Sequence, residues 1–265
     1  MTSEEPVPYA DYRLFCKTVQ STALRGLFEV LCHIIHDSNL VWDADGATLM
    51  TMDSARCAII HLQLLAEKFD VYHCPSKITM GVNMSSIFKL LKMASTSDTI
   101  TLYSKKESSH ELGIIIENSD RNTSTSYVLK LLDCDSEDIV IPDVQFDRVA
   151  CLPSVYLQRT CREMSQLGDY MTMKADEDFI QLICDGAFAT QETKIGESDA
   201  CLSILETSGN PVESRFSLRY LTLFTRASAL CTTVKVYLKA DFPLVLAYNV
   251  AHLGHLKFCL AARVL

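Results

Sequence analysis

Hydrophobic and polar residues follow two different spacings in this chain, and residues 80–102 contain both. The first spacing is that of one helix face, with apolar residues at Ile87, Leu90, Leu91 and Ala94. After a turn at Ser97-Asp98, Ile100 and Leu102 alternate with polar residues, as in a half-buried strand. The pattern predicts the end of a strand, a short helix, a turn and a second strand.

The same order of elements occurs twice. The first half contains a strand, a helix, a hairpin, further strands, a second helix and more strands, with helices beginning near Ala23 and Ser85. The second half repeats this order, with helices near Val155 and Leu218. The repeat predicts an α+β protein of two similar domains, each with two helices packed on antiparallel sheets.

Apolar spacing also predicts where these helices end. In the first helix it continues to about Asp37, and the fourth helix is predicted over Phe216–Ala229, after a turn at Ser208–Pro211.

Proline and acidic residues indicate the domain limits. Residues 1–13 carry Pro6, Pro8 and three acidic residues, and are predicted to be a flexible tail. Residues 133–143 contain five acidic residues, one proline and no helical stripe, which indicates an inter-domain connector. The predicted domains are therefore residues 14–132 and 144–265.

Composition narrows the class of protein. The chain has 265 residues, 48% of them hydrophobic and 22% charged, as in soluble globular proteins. It shows no apolar run of about 18 residues and no secretory signal, so we expect no membrane span. Its 11 cysteines are scattered singly, which favours reduced thiols in a cytosolic or nuclear protein.

The net charge of −9 argues against nucleic-acid binding, but the distribution of charge argues for it. Basic residues concentrate on the four predicted helices, at Arg25, Lys89, Lys92, Arg159, Arg162, Arg219 and Arg226. A surface lined by these side chains would attract a phosphate backbone without reading sequence. Aromatic residues are not interleaved with them, so stacking of single-stranded bases is not expected. Solvated helix faces are the alternative that the pattern leaves open.

Residues typical of catalysis or metal binding do not form a recognisable site. Cys32 and His36 lie four residues apart, next to His33, but no second pair has zinc spacing. We interpret them as a buried cysteine beside surface histidines. Motifs of phosphate loops, zinc proteases and serine hydrolases are absent. We therefore predict no catalytic residues, metal or cofactor, with a thiol- or metal-dependent enzyme as the competing hypothesis.

Seven further motifs occur in a fixed order: LMTMDS at 49–54, FDVYHC at 69–74, MGVNM at 80–84, LQRTCREMS at 157–165, FSLRYL at 216–221, FPLV at 242–245 and GHLKF at 254–258. In order and spacing they resemble the proliferating cell nuclear antigen family, the eukaryotic and viral DNA sliding clamps. The resemblance extends from about Phe15 to Val264.

This resemblance implies the DNA clamp fold and a ring of three identical subunits around duplex DNA. Helices would line the channel, and subunits would join through edge strands near Thr123–Lys130 and Thr190–Ile195. The channel residues would be the seven basic residues named above. Two further channel lysines of the family fall on Gly26 and Cys32, so the first helix has less charge than the family's. A subunit of a heterotrimeric checkpoint-type clamp is the alternative.

The resemblance also implies a groove for short peptides of DNA polymerase, the clamp loader, ligases and nucleases. Its expected residues are Met52, Arg56, Ile59, Ile139, Ile141, Pro243, Leu244, Cys259 and Ala261. Arg56 replaces a histidine of the family, Cys259 an aromatic residue and Ala262 a proline, which suggests a modified groove. Alternatively, Ile139 and Ile141 only hold the connector on the sheet.

The same resemblance implies where in the cell the protein acts, and it concerns modification by ubiquitin-type tags. A family member would act in the nucleus, or at a viral replication site if the protein is viral. The lysine that the family uses for ubiquitin-type modification falls on Glu177, with Lys174 nearby.

Overall fold

The protein is described by a computed structural model that covers residues 9–135, 139, 142, 144–198, 201–208 and 211–263. Its contacts divide the chain into two compact units. Unit 1 comprises Met1–Leu49, Leu62–Glu137 and Ala251–Gly254, and unit 2 comprises Met50–His61, Asp138–Val250 and His255–Leu265. Each unit therefore includes a short segment from the other half of the sequence.

Unit 1 contains the helices α1 (Ser21–Leu31) and α2 (Met84–Leu91), which pack on each other, and a short 3-10 turn (Ala66–Lys68). Its strands are β1 (Tyr12–Thr18), β2 (Asp37–Asp43), β3 (Gly46–Met52), β4 (Ala58–Leu65), β5 (Val71–His73), β6 (Ile78–Asn83), β7 (Asp98–Lys105), β8 (Glu111–Asn118) and β9 (Thr123–Lys130). The last residues of β3 and the first residues of β4 belong to unit 2. One antiparallel sheet has the order β5-β1-β7-β8-β9, and β2 pairs with both β3 and β6.

Unit 2 contains the helices α3 (Ser154–Met164) and α4 (Leu218–Phe224), the latter followed by a 3-10 segment (Thr225–Ala229). Its strands are β10 (Arg148–Pro153), β11 (Tyr170–Ala175), β12 (Phe179–Asp185), β13 (Thr190–Gly196), β14 (Ser203–Thr207), β15 (Val212–Ser217), β16 (Thr233–Leu238), β17 (Leu244–Val250) and β18 (Gly254–Leu260). Hydrogen-bonded neighbours among these strands have the orders β14-β10-β16-β17-β18 and β13-β12-β11-β15.

The predicted periodicities explain why these elements form. The buried residues of α1 recur at the spacing of one helix face: Leu24, Leu27, Phe28 and Leu31. Buried and half-buried residues alternate without interruption along β4. The Asn83 side chain accepts a hydrogen bond from the Ser86 amide at 2.8 Å and so caps α2. The α+β prediction, with two helices and antiparallel sheets in each half, is confirmed.

Two predicted helix limits are wrong. The first helix ends at Leu31, because the amides of both Ile34 and Ile35 donate to its carbonyl at 2.9 Å in a turn that keeps the apolar spacing. The fourth helix begins only at Leu218, since the preceding residues form β15. The buried polar residue Ser214 obscures the alternation of that strand in the sequence.

The predicted tail and connector are only partly described. β1 begins at Tyr12, within the segment predicted to be a tail, and the Tyr9 ring stacks on Phe15 at 4.6 Å. At the start of the connector, the side-chain amide of Asn39 donates to the Cys134 carbonyl at 3.1 Å. Ile141 lies outside the described residues. Among the described helices, none is long and apolar enough to cross a membrane.

Candidate functional site

The helices of unit 2 present their basic residues to solvent. Arg159 and Arg162 on α3, Arg219 on α4 and Arg226 in the 3-10 segment are all exposed. The opposite face of these helices is buried, with Leu157, Cys161, Met164, Leu218, Leu221 and Phe224 in the core. Burial of the apolar stripe therefore fixes the direction in which the arginines project.

One of these arginines is partly neutralised within its own helix. The Arg159 Nε donates to the Glu163 carboxylate at 2.8 Å, one turn further along α3. This hydrogen bond, together with the charge of Glu163, raises the pKa of Arg159. An exposed pair of this kind contributes little to stability, but it lowers the net positive charge of the helix face.

The helices of unit 1 carry fewer accessible cations. Lys89 on α2 and Lys92 directly after it are exposed. Arg25 on α1 is half-buried, and its guanidinium donates to the Ala94 carbonyl at 2.8 Å. Of the seven predicted DNA contacts, six are exposed, and one of these six, Arg159, is paired with Glu163. The seventh, Arg25, is half-buried and also holds the end of α2.

Each unit also has a sheet that ends in an exposed strand. β9 ends the five-stranded sheet of unit 1, and β13 ends the four-stranded sheet of unit 2. Every residue of β9 is exposed or half-buried, and Val128 keeps 58% of its surface exposed. These strands coincide with the two segments that the resemblance assigns to subunit contacts. An exposed edge offers a row of unpaired backbone groups to another chain.

Unit 2 contains a cavity of about 490 Å³. It is lined by Met50, Ile59, His61, Pro142, Val144, Phe146, Tyr237, Phe242, Pro243, Val245, Lys257 and Cys259. Predominantly apolar walls with a few polar groups are typical of ligand and peptide sites. The cavity is large enough to take one or two side chains of a docked peptide.

Among the predicted groove residues that the structure describes, three line this cavity: Ile59, Pro243 and Cys259. Leu244 is fully buried in the core, and the amide of Ala261 is bonded to the Cys57 carbonyl at 2.8 Å. Met52 and Ile139 are half-buried and Arg56 is exposed, all three outside the cavity wall. The assignment of the nine residues to a partner groove stays a prediction.

Sequence reasoning missed the aromatic wall of the cavity. The Phe146 ring lies 5.2 Å from the Tyr237 ring and 5.8 Å from the Phe242 ring. These residues come from three separate segments, so no local spacing connects them. Burial and the neighbouring charge of Lys257 also lower the pKa of His61, which keeps its imidazole neutral at neutral pH.

The loop between β3 and β4 is held in a defined shape beside the cavity. Its centre is the Asp53 carboxylate, which accepts from the amides of Cys57 and Ala58, both at 2.7 Å, and from the Tyr220 hydroxyl of α4. Burial alone raises the pKa of Asp53, but these hydrogen bonds outweigh it and lower the pKa. Arg56 adopts a positive φ of 57° at the tip of the loop.

The proposed metal or thiol site at the end of α1 gains no support from the geometry. Cys32 is half-buried rather than buried as predicted, and its thiol donates to the Glu29 carbonyl at 3.1 Å. His33 and His36 are exposed, as predicted. Within the described part of the chain, no group of three or more His, Cys, Asp or Glu side chains is arranged to hold a metal ion.

Two α+β units, each with a basic helix pair and a sheet that ends in an exposed strand, define the two-domain DNA-clamp class of proteins. Comparison with known proteins agrees. The family model of the N-terminal domain of proliferating cell nuclear antigen matches residues 14–138, and that of the C-terminal domain matches residues 140–263. A relative described as probable DNA polymerase sliding clamp 1, from Paramecium bursaria Chlorella virus 1, is 35% identical over 249 residues, which cover 92% of this chain and 95% of the relative.

The chain therefore belongs to the proliferating cell nuclear antigen family of DNA polymerase sliding clamps. This is a family of non-enzymatic processivity scaffolds. Family membership thus confirms both the resemblance and the prediction that the chain is not an enzyme.

Proposed function

We propose that three copies of this chain form a closed ring around duplex DNA and hold DNA polymerase on its template. The observation that carries the proposal is the separation of two features. Exposed cations lie on the helices, while β9 of unit 1 and β13 of unit 2 each lie at the end of a sheet. Phosphate binding and subunit pairing can therefore use different surfaces of the same chain.

Ring formation uses the strands β9 and β13. Pairing of β9 from one copy with β13 from the next is a head-to-tail contact, which closes into a ring when the rotation between copies allows it. Such pairing satisfies the free backbone groups of both edges and covers exposed apolar side chains such as Val128. The same pairing would protect the free chain against aggregation.

DNA contact uses Arg25, Lys89, Lys92, Arg159, Arg162, Arg219 and Arg226. Guanidinium and ammonium groups bind phosphate without reading bases, as sliding requires. Because Arg25 is half-buried and bonded to a carbonyl, it contributes least to the DNA contact.

Partner binding uses the cavity of unit 2 and the residues predicted around it. Short peptides of DNA polymerase, the clamp loader, ligases and nucleases insert apolar and aromatic side chains against the wall formed by Phe146, Tyr237 and Phe242. Action in replication and repair places the protein in the nucleus, or at a viral replication site. By the resemblance, Glu177 occupies the position of the family's modified lysine, so we expect no ubiquitin-type modification at that residue.

The ring is tested first by light scattering of the purified chain. A mass of about three times the 29.6 kDa of one chain supports the homotrimer. A monomer that forms a ring only with other clamp-type chains supports the heterotrimeric checkpoint-type alternative and contradicts the homotrimer.

The channel is tested by Lys89→Glu combined with Arg159→Glu. We expect weaker duplex binding and less processive synthesis by the cognate polymerase, because a reversed charge repels phosphate. The matched control is Lys106→Glu with Lys235→Glu, which changes the net charge equally at two exposed residues outside the proposed channel. Light scattering must show an unchanged oligomer. Full processivity of the first variant would count against the channel assignment.

A further inference from the structure

Two arginines of unit 2 converge on one tyrosine ring at the edge of the sheet formed by β11–β13 and β15. The Arg263 amide donates to the Arg215 carbonyl at 2.8 Å, so the two residues form a bridge at the free edge of β15. The guanidinium carbon of Arg215 lies 5.0 Å from the centroid of the Tyr170 ring, and that of Arg263 lies 4.3 Å from it. Both distances are within the range of cation–π contacts.

The register explains why these side chains meet. Arg215 lies opposite Thr172 of β11, and Tyr170 is two residues before Thr172 on the same face. Residues opposite each other in an antiparallel bridge project to the same face, so Arg263 joins them. The backbone therefore assembles the cluster without any special loop geometry.

The cluster carries two positive charges that no acidic side chain neutralises in the described part of the chain. Glu213, two residues before Arg215 on the same strand, is already paired with Lys174 at 3.0 Å. Asp169 and Asp185 lie near enough to act, with Arg215, on the Cys184 thiol, but neither forms an ion pair with a guanidinium of the cluster. Two like charges on one ring repel each other, and a bound anion would offset this repulsion.

The cluster lies on a different surface from the basic helices of unit 2. The other face of β11 and β15 is buried through Met171, Met173 and Phe216, and α4 packs on these two strands. The cluster projects from the half-buried, solvent-facing side of the sheet. Duplex DNA bound by the helices would therefore not occupy it.

We propose that Tyr170, Arg215 and Arg263 form a docking site for an acidic segment of a partner protein. A guanidinium presents a planar fork of N–H donors that matches the two oxygens of a carboxylate or a phosphoryl group. The Tyr170 ring holds both forks in place, which reduces the side-chain entropy lost on binding. The anion is a carboxylate of Asp or Glu, or the phosphoryl group of a modified residue.

The cluster is also close to the cavity along the chain. Cys259 lines the cavity, and the four residues from there to Arg263 span about 13 Å when extended. The anion site itself requires neither a ring nor DNA, so its test is independent of the proposed function.

The test is fluorescence anisotropy of two labelled hexapeptides with the whole chain, one with four glutamates and one with a single phosphoserine among neutral residues. We expect both probes to bind at low ionic strength. Arg215→Gln and Arg263→Gln should each weaken binding about tenfold, and the double variant should abolish it. The probe that binds more tightly identifies carboxylate or phosphoryl as the preferred anion, and either result supports the site.

Two further variants separate this site from general attraction to positive charge. Lys106→Gln with Lys235→Gln removes the same charge at exposed residues and should leave probe binding within about twofold of the unaltered chain. Tyr170→Leu keeps both arginines and should weaken binding about threefold to fivefold through loss of the platform.

The proposal is overturned if the double arginine variant binds both probes as the unaltered chain does, or if the lysine variant loses binding equally. It is also overturned if the double arginine variant weakens binding of duplex DNA as strongly as a channel variant does, because the cluster would then be part of the DNA contact. Circular dichroism of each variant, matched to the unaltered chain, confirms that the fold is retained.

Discussion

The helix pairs of the two units have the same fold but carry different charge. In unit 2, four exposed arginines lie on α3, on α4 and in the 3-10 segment that follows. In unit 1, the lysines Lys89 and Lys92 are exposed at and directly after α2, while α1 offers only the half-buried Arg25. The two units thus share an architecture but differ in the number of exposed cations on their helices.

The difference indicates that the fold and the charge pattern are determined separately. The buried stripe of each helix must fit its sheet, so its spacing is constrained in both units. The exposed face only has to attract phosphate, and any arrangement with enough cations does so. Arginine also differs from lysine, because its planar fork can bind two phosphate oxygens at once. We therefore expect unit 2 to hold DNA more strongly than unit 1.

The largest expected effect comes from charge reversal in one unit at a time. Arg162→Glu with Arg219→Glu in unit 2 should weaken duplex binding about a hundredfold at low salt, and Lys89→Glu with Lys92→Glu in unit 1 about tenfold. The measurement is a titration of duplex DNA at several salt concentrations, with Lys106→Glu and Lys235→Glu as the charge-matched control. Equal losses in both units would show that the asymmetry of charge has no energetic consequence.

A smaller effect is expected from the bond that fixes α4 of unit 2. Its N-terminus lacks a side-chain cap, in contrast to α2, but Tyr220 donates to Asp53. Tyr220→Phe should lower the free energy of unfolding by about 1 kcal/mol at pH 7. Tyr156→Phe on α3 is the control, because its hydroxyl has no hydrogen-bond partner in the described chain, and it should change stability by less than about 0.5 kcal/mol.

The pH dependence of this effect has a defined sign. Because the pKa of Asp53 is lowered in the folded chain, its stabilising contribution is complete above the unfolded pKa of about 3.9 and is lost as the pH falls through the lower folded value. Denaturant unfolding of Tyr220→Phe and of the unaltered chain should therefore differ less at pH 3 than at pH 7. If the difference in unfolding free energy is the same at both pH values, the effect comes from packing of the Tyr220 ring instead.

The smallest expected effect concerns the internal ion pair of α3. Glu163→Gln removes the partner of Arg159 and one negative charge from the helix face. Duplex binding should become about twofold to fivefold tighter, and the salt dependence slightly steeper, because one more cation is free to bind phosphate. Glu177→Gln in the turn between β11 and β12, another exposed acid of unit 2, serves as the control for net charge. If both variants bind duplex DNA more tightly by the same factor, the effect is caused by net charge alone.

Much of the fold could be predicted because its determinants are local. The apolar stripe of α2 and the alternation in β7 are visible in short windows of sequence. The helix end at Leu31 could not be predicted, since Ile34 and Ile35 keep the helical spacing through a turn. β15 was missed because polar Ser214 occupies a buried position in that strand.

The candidate sites also contain some features that the sequence predicts and others that it does not. The exposed cations could be predicted from their spacing relative to the buried stripe, apart from the carbonyl contact of Arg25. The cavity could not, because Ile59, Phe146 and Phe242 come together only through the sheet. The Tyr170 cluster likewise depends on a bridge between Arg215 and Arg263, residues that are distant in sequence.

The thiol of Cys259, in the cavity wall, can be used to measure whether the cavity is occupied. Cys259 is 8% exposed and lines the cavity, whereas Cys57 in the neighbouring loop is exposed. Burial raises the pKa of the Cys259 thiol, and Lys257 offsets this only in part, so the thiol stays protonated and alkylates slowly at neutral pH. A peptide that fills the cavity would slow this alkylation further while Cys57 continues to react. The ratio of the two rates, read by mass spectrometry, measures how much of the cavity is occupied in a mixture of competing partners.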